Sequence, residues 1–130
     1  MIDWDKNPYP NFTRKEMECH HTHKCKMHPE FMAKLQSIRE AYGAPMIISS
    51  GYRDKSHPDE IHKLKDGEHV YGMAADVLVS GIDALRLLQV LIHQGINRIG
   101  INQKGLINER YVHVGIGDSF RLFPPAIWTY

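Results

Sequence analysis

His69 and Asp76 are the residues whose types and spacing could do chemistry. They stand within Gly67-Glu68-His69-Val70-Tyr71-Gly72-Met73-Ala74-Ala75-Asp76, the histidine in a polar loop and the aspartate inside the apolar run from Met73 to Val79. Burying an unpaired carboxylate is costly. A metal ion is one reason to bury it, and a nearby histidine supplies a second ligand type. The first reading is therefore that His69 and Asp76 share a zinc ion, and that the rest of the chain supplies a third ligand and a substrate cleft. In Tyr111-Val112-His113-Val114-Gly115-Ile116, alternation puts the three aliphatic residues on one face and Tyr111, His113 and Gly115 on the other. A lone histidine so placed is more often a plain hydrogen-bonded residue, but here it completes a set of three. Three protein ligands leave a coordination position for water, the pattern of catalytic zinc. Zinc lowers the pKa of that water toward neutrality and polarises a carbonyl, which suits amide hydrolysis.

The elements that must position these residues are legible in outline. Met46 to Ser50 reads as a buried strand and Ala74 to Val79 as a second. Alternation sets Ala75, Val77 and Val79 against Ala74, Asp76 and Leu78. Arg98 to Ile101, Leu106-Ile107 and Tyr111 to Ile116 read as further strands. Pro29 opens a helix whose Phe31, Leu35, Ile38 and Tyr42 form one apolar face, ended by Gly43. A second helix runs from about Asp83 to Gln94, with Leu85, Leu88, Leu91 and Ile92 as its stripe and Gly95 as C-cap. Thr13 and Glu16 have capping-box spacing for a short helix. The charged stretch from Asp54 to Glu68 reads as a long loop with one helical turn at Asp59 to Leu64, and a loop of that length is more often functional than idle.

A chain of 130 residues fits one domain, 1–130, with an aromatic N-terminal arm over 1–12 and an aromatic C-terminal tail over 118–130 that packs across the sheet or onto the arm. Net charge is +1, which makes no electrostatic case for nucleic acid or an anionic membrane as partner. A monomer is expected. Met1-Ile2-Asp3-Trp4-Asp5 lacks a basic region followed by an apolar one. The expectation is a protein made and kept in the cytoplasm, or carried out by other machinery. Cys19-His20-His21-Thr22-His23-Lys24-Cys25 gathers five potential ligands in one short cluster. A closed zinc site usually draws on two separated ligand pairs, so a polar loop with two thiols is favoured over a second metal site.

Three motifs in order resemble those of a known family: Ser49-Ser50-Gly51-Tyr52-Arg53, then His69 to Asp76, then Tyr111-Val112-His113-Val114. They look like the motifs of the M15 zinc peptidases, the D-alanyl-D-alanine carboxypeptidases and related phage endolysins of the Hedgehog/DD-peptidase fold, in its compact branch. The likeness covers about residues 11–116. It implies an α+β fold with a small, mostly antiparallel sheet and helices packed on one face. It implies one catalytic zinc held by His69, Asp76 and His113. It also implies that Arg53 binds substrate or stabilises the developing oxyanion, with Ser50 and Tyr52 beside it as substrate contacts. The implied substrate is the peptide stem of bacterial peptidoglycan.

The sequence departs from the family pattern in three places. Many members carry an acid three residues before the last histidine as general base; here that position is Arg110, with Glu109 its neighbour. In a strand a one-residue shift turns a side chain to the other face, so Glu109 serves only if the chain bends there. Gly115 stands where many relatives have an acid, and Gly67 where a serine is common. The base candidates are Glu109 first, then His57 or Glu68. The main reading is a zinc peptidase of phage or prophage origin that cuts peptidoglycan peptides, by carboxypeptidase or endolysin-type endopeptidase action, once a separate membrane-permeabilising partner releases it. The alternative is a non-catalytic zinc-binding module of the same fold that grips the cell wall or a virion partner.

Overall fold

A computed structural model describes all residues, 1–130. In chain order the elements are helix α1 (Arg14–Met17), helix α2 (Pro29–Tyr42), strand β1 (Ile47–Ser50), strand β2 (Ala74–Leu78), helix α3 (Gly81–His93), strand β3 (Arg98–Asn102), strand β4 (Tyr111–Gly115) and strand β5 (Ala126–Thr129). Local chemistry sets the helix ends. The Thr13 hydroxyl accepts from the Glu16 N–H and the Glu16 carboxylate accepts from the Thr13 N–H, closing the capping box of α1. The His28 ring accepts from the Glu30 N–H ahead of Pro29 at the start of α2, and Gly43 ends that helix in the left-handed region.

The five strands form one mixed sheet in the order β1-β2-β4-β3-β5. The pairs β1/β2, β2/β4 and β4/β3 are antiparallel and β3/β5 is parallel. The protein is thus an α+β domain whose sheet is mostly antiparallel. One sheet face carries Ala75, Val77, Ile99, Val112 and Val114, which join Phe31, Leu35 and Ile38 of α2 and Leu87 and Leu91 of α3 in one buried cluster. Burying these side chains is the main drive for folding, at about 1.5–3 kcal/mol for each large aliphatic residue.

The opposite face carries the chemistry. Register aligns Ser50 with Asp76, Asp76 with His113, His113 with Gly100, and Gly100 with Trp128, so one row of five residues crosses the whole sheet. Alternation guarantees that both halves of the donor pair Asp76/His113 look away from the helices.

Four readings are corrected. Leu106-Ile107 is not a strand; Ile107–Glu109 forms a 3-10 turn, and both Leu106 and Ile107 are exposed. Two apolar residues without alternation are too short a signal to separate a strand from an exposed loop. The turn expected over Asp59–Leu64 falls earlier, where the Ile61 N–H reaches the His57 carbonyl across Pro58. Helix α3 buries Ala84, Leu87 and Leu91, while Leu85 and Ile92 are exposed; the helix is apolar on several sides, and the small Ala84 sets the close-packed line. The tail does not lie across the sheet but extends it, adding β5 at the edge beside β3.

Candidate metal centre and cleft

Donor atoms of His69, Asp76 and His113 lie within 4.8 Å of one another, and all three residues are buried. His69 Nε2 is 3.4 Å and His113 Nδ1 3.1 Å from Asp76 Oδ1. Tetrahedral zinc with ligand bonds near 2.0–2.1 Å holds its donors about 3.3 Å apart, so the spacing fits that ion. The far side of each ring is also fixed. His69 Nδ1 is 2.7 Å from the Gly51 carbonyl, which can only accept, so Nδ1 carries the proton and Nε2 presents its lone pair to the cluster. His113 Nε2 is 2.8 Å from Glu68 Oε1 and donates to it, leaving Nδ1 to face Asp76. A carboxylate or carbonyl behind each imidazole is the arrangement that orients histidines toward a metal.

Glu68 is itself held. Its Oε2 accepts from the Gly117 N–H at 2.9 Å, and its Oε1 pairs with the Arg98 guanidinium at 2.8 Å. It occupies space that only glycines leave open: a Cβ on Gly115 would stand 2.1 Å from Glu68 Oε2, and one on Gly117 3.0 Å from it. The carboxylate missing from position 115 is thus replaced in space by one from position 68. So bound, on the Nε2 side of His113, Glu68 is not free to take a proton beside Asp76.

Electrostatics follow this wiring. Burial works against ionised Asp76, but its contacts with the His113 and His69 ring nitrogens outweigh it and hold its carboxyl well below the usual range. Burial also works against charging His113, yet its bonds to Asp76 and Glu68 win and raise its pKa. For His69 burial prevails and the pKa is lowered. Glu68 is held below its usual range despite burial, by His113, Arg98 and the Gly117 N–H.

Arg53 lies beside the cluster, but its fork is engaged on three sides. Nε donates to Ser50 Oγ at 2.9 Å, Nη1 to Glu60 at 3.2 Å and Nη2 to Asp76 Oδ2 at 3.1 Å. Its charge is matched by two buried carboxylates, and it orients Asp76. Ser50 is half-buried and holds Arg53; Tyr52 is buried, with its hydroxyl toward Asp54. Glu109 is exposed on the 3-10 turn before β4, so the chain does bend there, while Arg110 donates to the Gly105 carbonyl. Glu109 and His57 share with Ser50, Arg53 and Asp76 a groove of ≈ 440 Å³. The His57 Nδ1 accepts from the Asp59 N–H. Cys19 and Cys25 are free thiols; Cys19 is buried, accepts from the Asp54 N–H, and gathers no group of metal ligands.

A second cleft, ≈ 380 Å³, opens over the cluster itself and is bounded by Arg98, Tyr111, Phe123, Trp128 and Tyr130. The Trp128 ring lies 5.0 Å from the His113 ring. Burial, with the charge of Asp76 adding to it, holds the Tyr130 phenol protonated beyond its usual range. Sequence reasoning missed Glu60, Arg98, Trp128 and Tyr130. The aromatic tail was the signal for the last two; for Glu60 and Arg98 there was none, since both read as ordinary charged residues.

Fold and donor set together fit a small α+β zinc peptidase. Comparison with protein families matches the one described as Peptidase M15 over residues 10–115, and the chain belongs to that family, which is one of metallopeptidases. A search of the curated proteins finds no match.

Proposed function

We propose that the protein is a zinc-dependent peptidase that hydrolyses amide bonds in the peptide stems of bacterial peptidoglycan. The observation that supports this best is the convergence of His69, Asp76 and His113 on the floor of an open cleft, within the family-matched residues. Zinc held by these three residues would supply a polarised carbonyl and a water of lowered pKa. His69 and His113 would face the ion through Nε2 and Nδ1, the nitrogens that their Gly51 and Glu68 partners leave available. Arg53 keeps Asp76 aimed through its Nη2 bond to Oδ2. Glu109 is the proposed proton acceptor: it is exposed, unlike Glu68, and shares its groove with Asp76. Ser50 lines the same groove as a substrate contact. No helix of the protein is long and apolar enough to cross a membrane.

The test is direct. Zinc-loaded protein incubated with purified peptidoglycan should free new amino groups, and His113→Ala should lose both the metal and the release. Full release by the His113→Ala variant would end this reading. A second reading, a zinc-binding module that grips the wall without cutting it, draws on Arg53 being fully engaged and on Arg110 turning to Gly105. Zinc bound at one equivalent with no amino groups released would favour that module.

A further inference from the structure

Strand β5 lies outside the family-matched residues 10–115, yet it builds one wall of the cleft above the donor cluster. Its parallel pairing with β3 puts Trp128 opposite Gly100, which is itself opposite His113. Gly100 has no side chain, and the space is used. A Cβ there would stand 2.6 Å from Trp128 Nε1 and 2.8 Å from the Tyr130 hydroxyl. The Trp128 N–H and the Tyr130 hydroxyl therefore sit side by side on the chemical face of the sheet, one position from a metal-ligand candidate, with the Tyr111 hydroxyl as the other neighbour of the Tyr130 hydroxyl. The Trp128 ring packs on His113 and the Tyr130 ring lies 5.2 Å from that of Tyr111, two residues before His113. The Lys104 ammonium, donating to the Tyr130 carbonyl at 2.7 Å, anchors the strand's end.

The charged side chains around this cleft already have partners of their own. Arg53 is tied to Ser50, Glu60 and Asp76, Arg98 to Glu68 and the Pro124 carbonyl, and Lys63 to Glu60. A carbonyl oxygen that gains negative charge beside the cluster needs a donor that is already in place, because a preorganised dipole stabilises that charge without reorganising. Trp128 on β5 and Tyr130 just past its end carry neutral donors on rigid rings, which lose little side-chain freedom when they bind.

We propose that β5 and the residue that follows it are a working part of the site: Tyr130 donates its phenol proton in a hydrogen bond to the carbonyl oxygen of the amide being cut, and Trp128 walls the cleft beside it. Gly100 is the residue that admits both. This rests on the peptidase reading, and it names the element that holds the substrate's acyl side.

The test compares wild type, Tyr130→Phe and Gly100→Ala, all zinc-loaded, on a defined stem peptide. Tyr130→Phe should lower kcat/KM by about 100–1000-fold, chiefly through kcat, since one lost oxyanion donor removes stabilisation felt mainly in the transition state. Zinc affinity, measured by chelator competition, should stay within about twofold, because the phenol is no ligand of the metal. Gly100→Ala, which displaces both side chains, should fall at least as far. Unchanged kcat and KM in Tyr130→Phe would overturn the proposal. A binding measurement separates it from the peptidase reading. In a Trp4→Phe background Trp128 is the single tryptophan, and its fluorescence should respond to the stem peptide with or without cleavage. A fluorescence response without hydrolysis in wild type would sink the peptidase reading and leave the β5 wall standing. Hydrolysis without any fluorescence response would overturn the wall.

Discussion

At the scale of single residues, the site depends on what stands behind the three donors. Asp76 could reach a metal from any strand with this alternation, but His113 has two equivalent-looking nitrogens. The carboxylate of Glu68 makes them unequal by accepting from Nε2. Arg98, the Gly117 N–H and the space over Gly115 keep that carboxylate in place. Glu68→Gln keeps the shape but can present an amide N–H to the ring, which favours the wrong tautomer. Zinc affinity should fall about 10–100-fold, the usual loss when such a partner is removed. Competition against a colorimetric chelator measures it, and an unchanged affinity would mean that His113 needs no such partner. Gly115→Ala should mimic the loss, since its Cβ would overlap the Glu68 carboxylate.

At the scale of elements, the loop that carries His69 has to be locked to something rigid. Gly72 does this. Its carbonyl accepts from the His28 N–H at 2.9 Å, its own N–H donates to the His69 carbonyl at 3.2 Å, and its φ is 68°. A Cβ at this position would lie 2.1 Å from the Lys26 carbonyl oxygen, which is backbone and cannot swing away. Gly72→Ala combines left-handed strain of about 1–2 kcal/mol with that overlap. Urea denaturation of the metal-free protein should show a loss of about 2 kcal/mol or more, and zinc affinity should drop with it as His69 shifts. Stability equal to wild type would show that the loop's path is set elsewhere. The helices tell the opposite story. In α2 the apolar spacing, the proline and the glycine cap sufficed to place Pro29–Tyr42, because every signal there is local. In α3, where Ile82, Leu85 and Ile92 remain exposed beside buried Ala84, Leu87 and Leu91, periodicity found the helix and misjudged its face.

At the scale of the whole molecule, the three donors come from a loop and from two neighbouring strands 37 residues apart in sequence, so a bound ion would tie β2, β4 and the loop before β2 together. Anything that binds only the native state stabilises it by mass action, by about 4 kcal/mol at a thousandfold excess over Kd. For a domain of this size that corresponds to a rise in Tm on the order of 10 °C. Differential scanning calorimetry with and without a chelator measures it, and the rise should vanish in His113→Ala. A Tm indifferent to zinc would argue against a native site that spans β2 and β4.

The sequence by itself singled out His69, Asp76 and His113 as a candidate donor set and determined the strands that carry Asp76 and His113, both long helices and the α+β class, because residue type, two-residue alternation and helix punctuation are local properties. It also carried the three ordered motifs on which the resemblance rested. Only the tertiary structure decided what each donor leans on. Glu68 lies behind His113 because two glycines, 47 and 49 residues further along, leave room for it. Arg53 turned inward because Glu60 and Asp76 meet it from different segments. The tail became a strand because β3 offered an unpaired edge. Each of these is a pairing between residues that are not neighbours in one helix or strand, and no local pattern encodes which of them will meet.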